Sequence, residues 1–287
     1  MTPMRTRWGM LLIGPFLLSF ALLAGSQLVF LKASLFADLG FGKMSTTVDL
    51  SNYFRIVTDG YYLKTLWLTC YISLIVAFCC IVAGFPIAQV LSRLRSRWTT
   101  VLLSIIVLTS FITIVIQVFG LIIIFRADGP VNQALLALGL INQPFSLVGT
   151  VGGVVVGLIY SSFGFAVMLM FAVLRTIPVS LDEAAAVHGA SRLRVFQRII
   201  LPLSLPGVII GFLTVFNLCM GAFTSAALLG GGRVITLPVL IQRTMLLDVK
   251  YGMAGALAAV LLVFVVVLNL LSVAVLRRFR ASRLVLS

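Results

Sequence analysis

The chain is poor in the groups that do chemistry. Its 287 residues include seven acids, one histidine and four cysteines. The acids are Asp38, Asp49, Asp59, Asp128, Asp182, Glu183 and Asp248. No nucleophile, base and acid can be assembled from this set, which excludes catalysis as the chain's own work. The phosphate-cradling pattern G-x-x-x-x-G-K-[ST] is missing too, so the chain does not itself hydrolyse ATP. Cys70, Cys79, Cys80 and Cys219 all fall in apolar stretches. No pair has zinc-ligand spacing and context, and His188 is the lone histidine, so neither a metal site nor a disulfide is expected.

Apolar surface is abundant instead. Hydrophobic residues make up 61% of the chain, charged residues 10%, and the mean hydropathy is +1.21. No soluble domain of this length needs so much. Six runs reach spanning length, at about 9–31, 65–91, 101–125, 148–174, 205–228 and 253–276. In lipid each can satisfy its own backbone only as a helix. The predicted fold is an all-α integral membrane protein with six transmembrane helices, one transmembrane domain over 1–287. The first run, Trp8–Leu31, follows Arg5 and Arg7 as a signal peptide would. It is too long for a signal core and no clean A-x-A site follows, so it reads as a retained span.

The net charge is +14. With the N-terminus inside, thirteen basic residues face the cytoplasm: Arg5, Arg7, Arg93, Arg95, Arg97, Arg175, Arg192, Arg194, Arg198, Arg277, Arg278, Arg280 and Arg283. Eight face the other side: Lys32, Lys43, Arg55, Lys64, Arg126, Arg233, Arg243 and Lys250. The asymmetry predicts both termini in the cytoplasm. Binding to nucleic acid would call for a soluble basic domain, and there is none. The basic excess faces anionic membrane lipid, with Arg277-Arg278-Phe279-Arg280 as a stop-transfer anchor.

One polar segment, 178–202, interrupts the apolar runs on the cytoplasmic side. Ser180-Leu181-Asp182-Glu183 fits a capping box, with Ser180 as cap and Glu183 reaching back. Asp182 and Glu183 also suit the positive end of a helix dipole. Ala184, Ala185 and Ala186 favour helix and allow a partner surface close approach. Gly189 fits the left-handed residue that ends a short helix. Ser191 can cap a second helix, which Pro202 is expected to stop.

From Glu183 the segment reads E-A-A, three residues, Gly, nine residues, I-x-L-P. This resembles the ATPase-docking loop of permease subunits in binding-protein-dependent ABC importers. Gly84-Phe85-Pro86-Ile87-Ala88, Phe119-Gly120-Leu121, Gly129, Gly139-Leu140 and Leu229-Gly230-Gly231 extend the likeness over about residues 50–275. Among these permeases the chain resembles the first permease of the spermidine/putrescine-type branch. That branch tends to carry W-T-N-S-L-x-R in the third span. Here the stretch is Ser110-Phe111-Ile112-Thr113-Ile114-Val115-Ile116-Gln117, with Gln117 in place of the arginine.

The resemblance implies the type I ABC importer permease fold in a bacterial inner membrane. It implies a second permease, two copies of an ABC ATPase and a periplasmic substrate-binding protein as partners. ATP and Mg would be held by those ATPases, with no cofactor in this chain. Glu183, Ala184, Ala185, His188, Gly189, Ala190 and Arg192 would form the docking surface. The solute class is open among polyamines, γ-aminobutyrate-like amino acids and aminophosphonates.

Polar residues deep in apolar spans are candidates for a substrate pathway: Gln117, Asn217, Thr224 and Ser225, with Gln89 and Asn269 nearer the edges. They could equally bond neighbouring helices. The small residues Gly149, Gly153 and Gly157 suit close helix packing, and Gly207 and Gly211 suggest the same beside a partner subunit. A self-contained secondary transporter or channel is the alternative. It would call for ionisable residues within the spans, and there are none.

Overall fold

The computed structural model describes the backbone of residues 4–94 and 97–284, and the side chains of 13–94 and 97–274. Arg5, Arg7, Arg95, Arg277, Arg278, Arg280 and Arg283, used in the charge argument, lie outside the described side chains. The chain packs as two compact units, Met1–Leu63 with Leu240–Phe264, and Lys64–Val239 with Val265–Ser287.

Among the described residues five helices are long and apolar enough to span a membrane: Ile13–Ala33, Gly60–Arg93, Val151–Arg175, Arg192–Met220 and Tyr251–Ala274. A sixth span would be the pair Arg97–Phe111 and Ile114–Ile124, bent by 95°. The helical membrane fold is as expected, and its elements differ in four places.

In the first unit, α1 (Met4–Ala33) leads into a hairpin of β1 (Phe36–Gly40) and β2 (Lys43–Val48), then α2 (Ser51–Thr58). The antiparallel hairpin corrects the all-helical expectation. Asp38 holds it down. Its carboxylate accepts from the Gly252 and Met253 amides at 2.9 and 2.8 Å, satisfying free N–H groups at the start of a helix.

In the second unit, α3 (Gly60–Arg93) precedes the bent pair, α4 (Arg97–Phe111) and α5 (Ile114–Ile124). The single helix expected at 101–125 is therefore broken, although no Pro or Gly marks the break. The Thr109 and Ser110 hydroxyls both donate to the Ile106 carbonyl, at 2.7 and 3.1 Å. Such back-bonding bends helices. Thr113 is extended (φ −61°, ψ 140°). Gln117 then donates from Nε2 to the Thr109 and Ile112 carbonyls, at 3.0 and 3.2 Å. Beyond α6 (Pro130–Ala137), Asn132 pins the following loop. It donates to the Arg126 and Phe145 carbonyls and accepts from the Phe145 amide.

The third difference concerns the segment before the fifth span. After α7 (Val151–Arg175) and α8 (Ser180–Val187), helix runs without a stop from Arg192 to Met220. It comprises α9 (Arg192–Val195), one π turn (Phe196–Ile200) and α10 (Leu201–Met220). Pro202 does not end it. The Leu201 amide reaches back to Phe196 O, and the wider turn absorbs the residue whose N–H is missing. Conversely, the expected run 205–228 divides at Met220, and α11 (Thr224–Gly230) follows. Then come α12 (Leu237–Leu246) and α13 (Tyr251–Leu284).

The fourth difference concerns glycines. Gly149 has φ +82° in the turn before α7, so it does not share a helix row with Gly153 and Gly157. Gly207 and Gly211 sit against Val173 and Met170 of α7 in this chain, rather than beside a partner. There α7 and α10 approach too closely for a larger side chain.

Candidate functional site

The polar segment 178–202 is anchored from below and open above. Ile81, Phe85, Ala88 and Leu91 of α3, Val167, Met170 and Leu174 of α7, and Val195 and Ile200 form one buried cluster. Ala185 and Ala190 pack on it, and Phe196 meets Phe85 edge-on at 6.0 Å. The opposite face is solvent-exposed: Glu183, Ala184, His188, Gly189 and Arg192 lie on it. Two apolar side chains that sequence reasoning passed over stand with them, Val187 at 86% and Leu193 at 64% exposure. Both are large apolar side chains exposed on an otherwise polar segment.

The bend between α8 and α9 is built as expected. Gly189 has φ +71°. The Ala190 amide donates to Ala185 O and the Gly189 amide to Ala186 O, at 3.0 and 2.9 Å, which closes the helix end. Ser191 Oγ accepts from the Arg194 amide at 3.4 Å and starts α9.

The capping box at Ser180 is not formed. Val179, already helical at φ −66°, is the cap residue, and no side chain caps the helix. Turns across Pro178 feed the chain straight into α8. Asp182 is used elsewhere. It pairs with Arg93 at 3.2 Å, and Arg93 also donates to the Ile177 carbonyl at 3.0 Å. Arg175 in turn donates to the Ser92 carbonyl at 3.3 Å. The C-terminal ends of α3 and α7 thus each receive an arginine from the other, a favourable pairing with the dipole. Sequence reasoning had counted both arginines only as inner-face charge.

The pathway candidates separate into two groups. Gln117 lines two adjoining cavities of about 560 and 610 Å³ around the α4–α5 elbow. Thr224 and Ser225 line the second with it. Among the described residues no acidic or basic side chain lines either one. Asn217 joins neither lining; it is locked to Asn269 of α13 by reciprocal amide bonds of 2.9 and 3.2 Å. Gln89 borders a separate surface hollow beside Arg93. Among the described residues no cluster of His, Cys, Asp and Glu could hold a metal ion.

Known proteins are similar to this chain in sequence and in fold. The chain is 34% identical to the spermidine/putrescine transport system permease protein PotB of Escherichia coli (strain K12) over 247 residues, 86% of each chain. PotB of Haemophilus influenzae is 27% identical over 84% of each. In fold it matches a permease chain of the bacterial alginate ABC transporter in complex with alginate pentasaccharide-bound periplasmic protein. The TM-score is 0.79 at 19% identity, covering 96% of this chain and 94% of that one. Residues 80–281 match the model of the binding-protein-dependent transport system inner membrane component, so the chain belongs to that family of ABC transporter permeases.

Proposed function

We propose that this permease carries a small amine-containing solute into bacterial cells, with a polyamine as the leading candidate. It works with a second permease, two ABC ATPases and a periplasmic binding protein. The names of its 34%-identical relatives support the polyamine class. γ-Aminobutyrate-like amino acids and aminophosphonates remain in the same amine class. A self-contained secondary transporter or channel finds no support in a family of binding-protein-dependent systems.

Coupling runs through residues 183–202. The observation that carries this reading is the two-sidedness of the segment. Ala184, Val187, Gly189 and Leu193 are open to a partner, while Ala185, Val195 and Ile200 sit in the core shared with α3 and α7. A partner ATPase that moves on the open side would drag the spans attached on the other. The segment and both termini are cytoplasmic in this reading, consistent with the arginine bias.

The test is the ATPase activity of the reconstituted complex, with and without substrate-loaded binding protein. Val187→Asp and Leu193→Asp should abolish the stimulation while leaving the permease inserted. Full stimulation in both would overturn the docking role.

A further inference from the structure

Four polar side chains lining the elbow cavity, Gln117, Thr109, Ser110 and Ser161, share one hydrogen-bonding character. Gln117 Nε2 has two hydrogens, and both go to carbonyls, those of Thr109 and Ile112. This fixes the amide's orientation, because carbonyls accept only from the nitrogen. Gln117 Oε1 is then a buried acceptor with no donor. The hydroxyls around it are also directed elsewhere. Thr109 and Ser110 donate to Ile106 O, and Ser161 donates to Leu158 O at 3.1 Å. Each keeps lone pairs and has no hydrogen left to give. The C-terminal end of the 15-residue helix α4, with its partial negative charge, meets the same cavity at Thr109 and Ser110. Tyr160, at 52% exposure, adds aromatic surface and a phenolic hydroxyl that can donate as well as accept.

Apart from the Tyr160 hydroxyl, the polar groups described in this lining offer acceptors and no carboxylate, which favours a ligand that mainly donates. An ammonium group is that ligand: three N–H donors, no acceptor, and a charge that helix dipole and ring faces attract. A carboxylate or phosphonate would find one donor, the Tyr160 hydroxyl, among several lone pairs.

We propose that the elbow cavity is a binding site for one primary ammonium head of the transported solute. Gln117 Oε1 and the hydroxyl oxygens of Thr109, Ser110 and Ser161 are its acceptors. The inference rests on the amine reading above and sharpens it: the head is held by neutral oxygens, so this site takes one charge at a time.

Gln117 also braces the elbow, and two substitutions separate the roles. Gln117→Lys keeps a donor for the Thr109 and Ile112 carbonyls but removes the acceptor and installs a resident ammonium. Gln117→Glu does the opposite. The complete complex, with partner permease, ATPases and binding protein, is reconstituted and uptake of putrescine, spermidine and γ-aminobutyrate is measured. The site predicts that Lys lowers kcat/KM by ~10-fold or more, the effect of losing a hydrogen bond to a charged partner. It predicts that Glu preserves uptake or lowers KM. Normal uptake in Lys with loss in Glu would reduce Gln117 to a brace and overturn the proposal.

A binding readout covers the case in which either variant fails to assemble. Ser161→Cys, in a background without the four native cysteines, should be protected from a thiol reagent by putrescine. Tetramethylammonium, which has no N–H to donate, should not protect. Absence of protection by putrescine, or equal protection by both, overturns the site. If the wild-type complex imports none of the three amines, the amine reading itself falls, and this inference with it. If it imports them and Gln117→Lys is unaffected, only the inference falls.

Discussion

Arg93 at the end of α3 and Asp182 in the first turn of α8 meet at 3.2 Å, joining two segments 89 residues apart. Both side chains are mostly shielded, with 21% and 27% exposure. The pair ties the first turn of α8 to the end of α3. A double-mutant cycle with Arg93→Gln and Asp182→Asn should give a coupling of about 1 kcal/mol, the upper part of the range for pairs open to water. The readout is thermal unfolding of the detergent-solubilised complex. Each single variant should also weaken the link between ATP hydrolysis and uptake, raising ATP consumed per solute. Zero coupling energy with an unchanged ratio would show the pair to be idle.

Gly189→Val should inactivate transport without blocking insertion. A β-branched residue at φ +71° is strained by about 1–2 kcal/mol, and nothing packs near enough to compensate. The end of α8 would re-aim, carrying Val187 and His188 away from their partner. Glu183→Lys should act in the same direction by placing positive charge at the positive end of α8. ATPase stimulation by loaded binding protein measures both. Wild-type stimulation and uptake in the two variants would refute the docking segment.

Asn217 and Asn269 should prove to be a stability device. Removing the Asn217 amide leaves Asn269 with its bond to the Val265 carbonyl but with its side-chain oxygen unpaired, and removing the Asn269 amide orphans Asn217. Asn217→Leu should therefore lower stability by about 0.6–1.7 kcal/mol. Adding Asn269→Leu should recover part of the loss, because removing both partners costs less than orphaning one. Uptake per assembled complex should stay level throughout. A loss of uptake with unchanged melting temperature would return Asn217 to the pathway.

Orientation can be read by labelling. His188 and Asp128 are both exposed. Asp128 makes only a surface pair with Arg126, so replacing it costs little. Cysteines at 188 and 128, in a background free of Cys70, Cys79, Cys80 and Cys219, should react differently with an impermeant thiol reagent on intact cells. Position 128 should label and position 188 should not. The reverse pattern would invert the topology.

The sequence could reveal features whose cause is local. Spanning length, the Gly189 helix end and the Ser191 cap each depend on a few adjacent residues, and all three are present. The misjudged features depend on distant partners. No Pro or Gly near Phe111 signals the 95° break; it goes with the Thr109 and Ser110 hydroxyls bonded back to Ile106 O and with Gln117 reaching the Thr109 and Ile112 carbonyls. Asp182 suited a helix start equally well in sequence, yet its partner lies in α3. Pro202 is a helix breaker by rule, and only a π turn at Phe196–Ile200 lets the chain pass it. The Gln117 site was half legible. Its depth flagged it, but the direction of the hydrogen bonds around it needed coordinates.

The π turn also acts as an angular key. An α-helix advances about 100° per residue, so one residue more or fewer turns everything beyond it by that amount. Phe196–Ile200 holds such an extra residue between α9 and α10. Deleting Gln197 would let an unbroken α-helix form with α9 facing nearly as before, because five residues of the wider turn sweep about the same angle as four of α-helix. The wider turn therefore keeps the two halves of this rod in their facing directions despite the extra residue. Removing one residue here should be tolerated far better than removing one from α10, where nothing takes up the change.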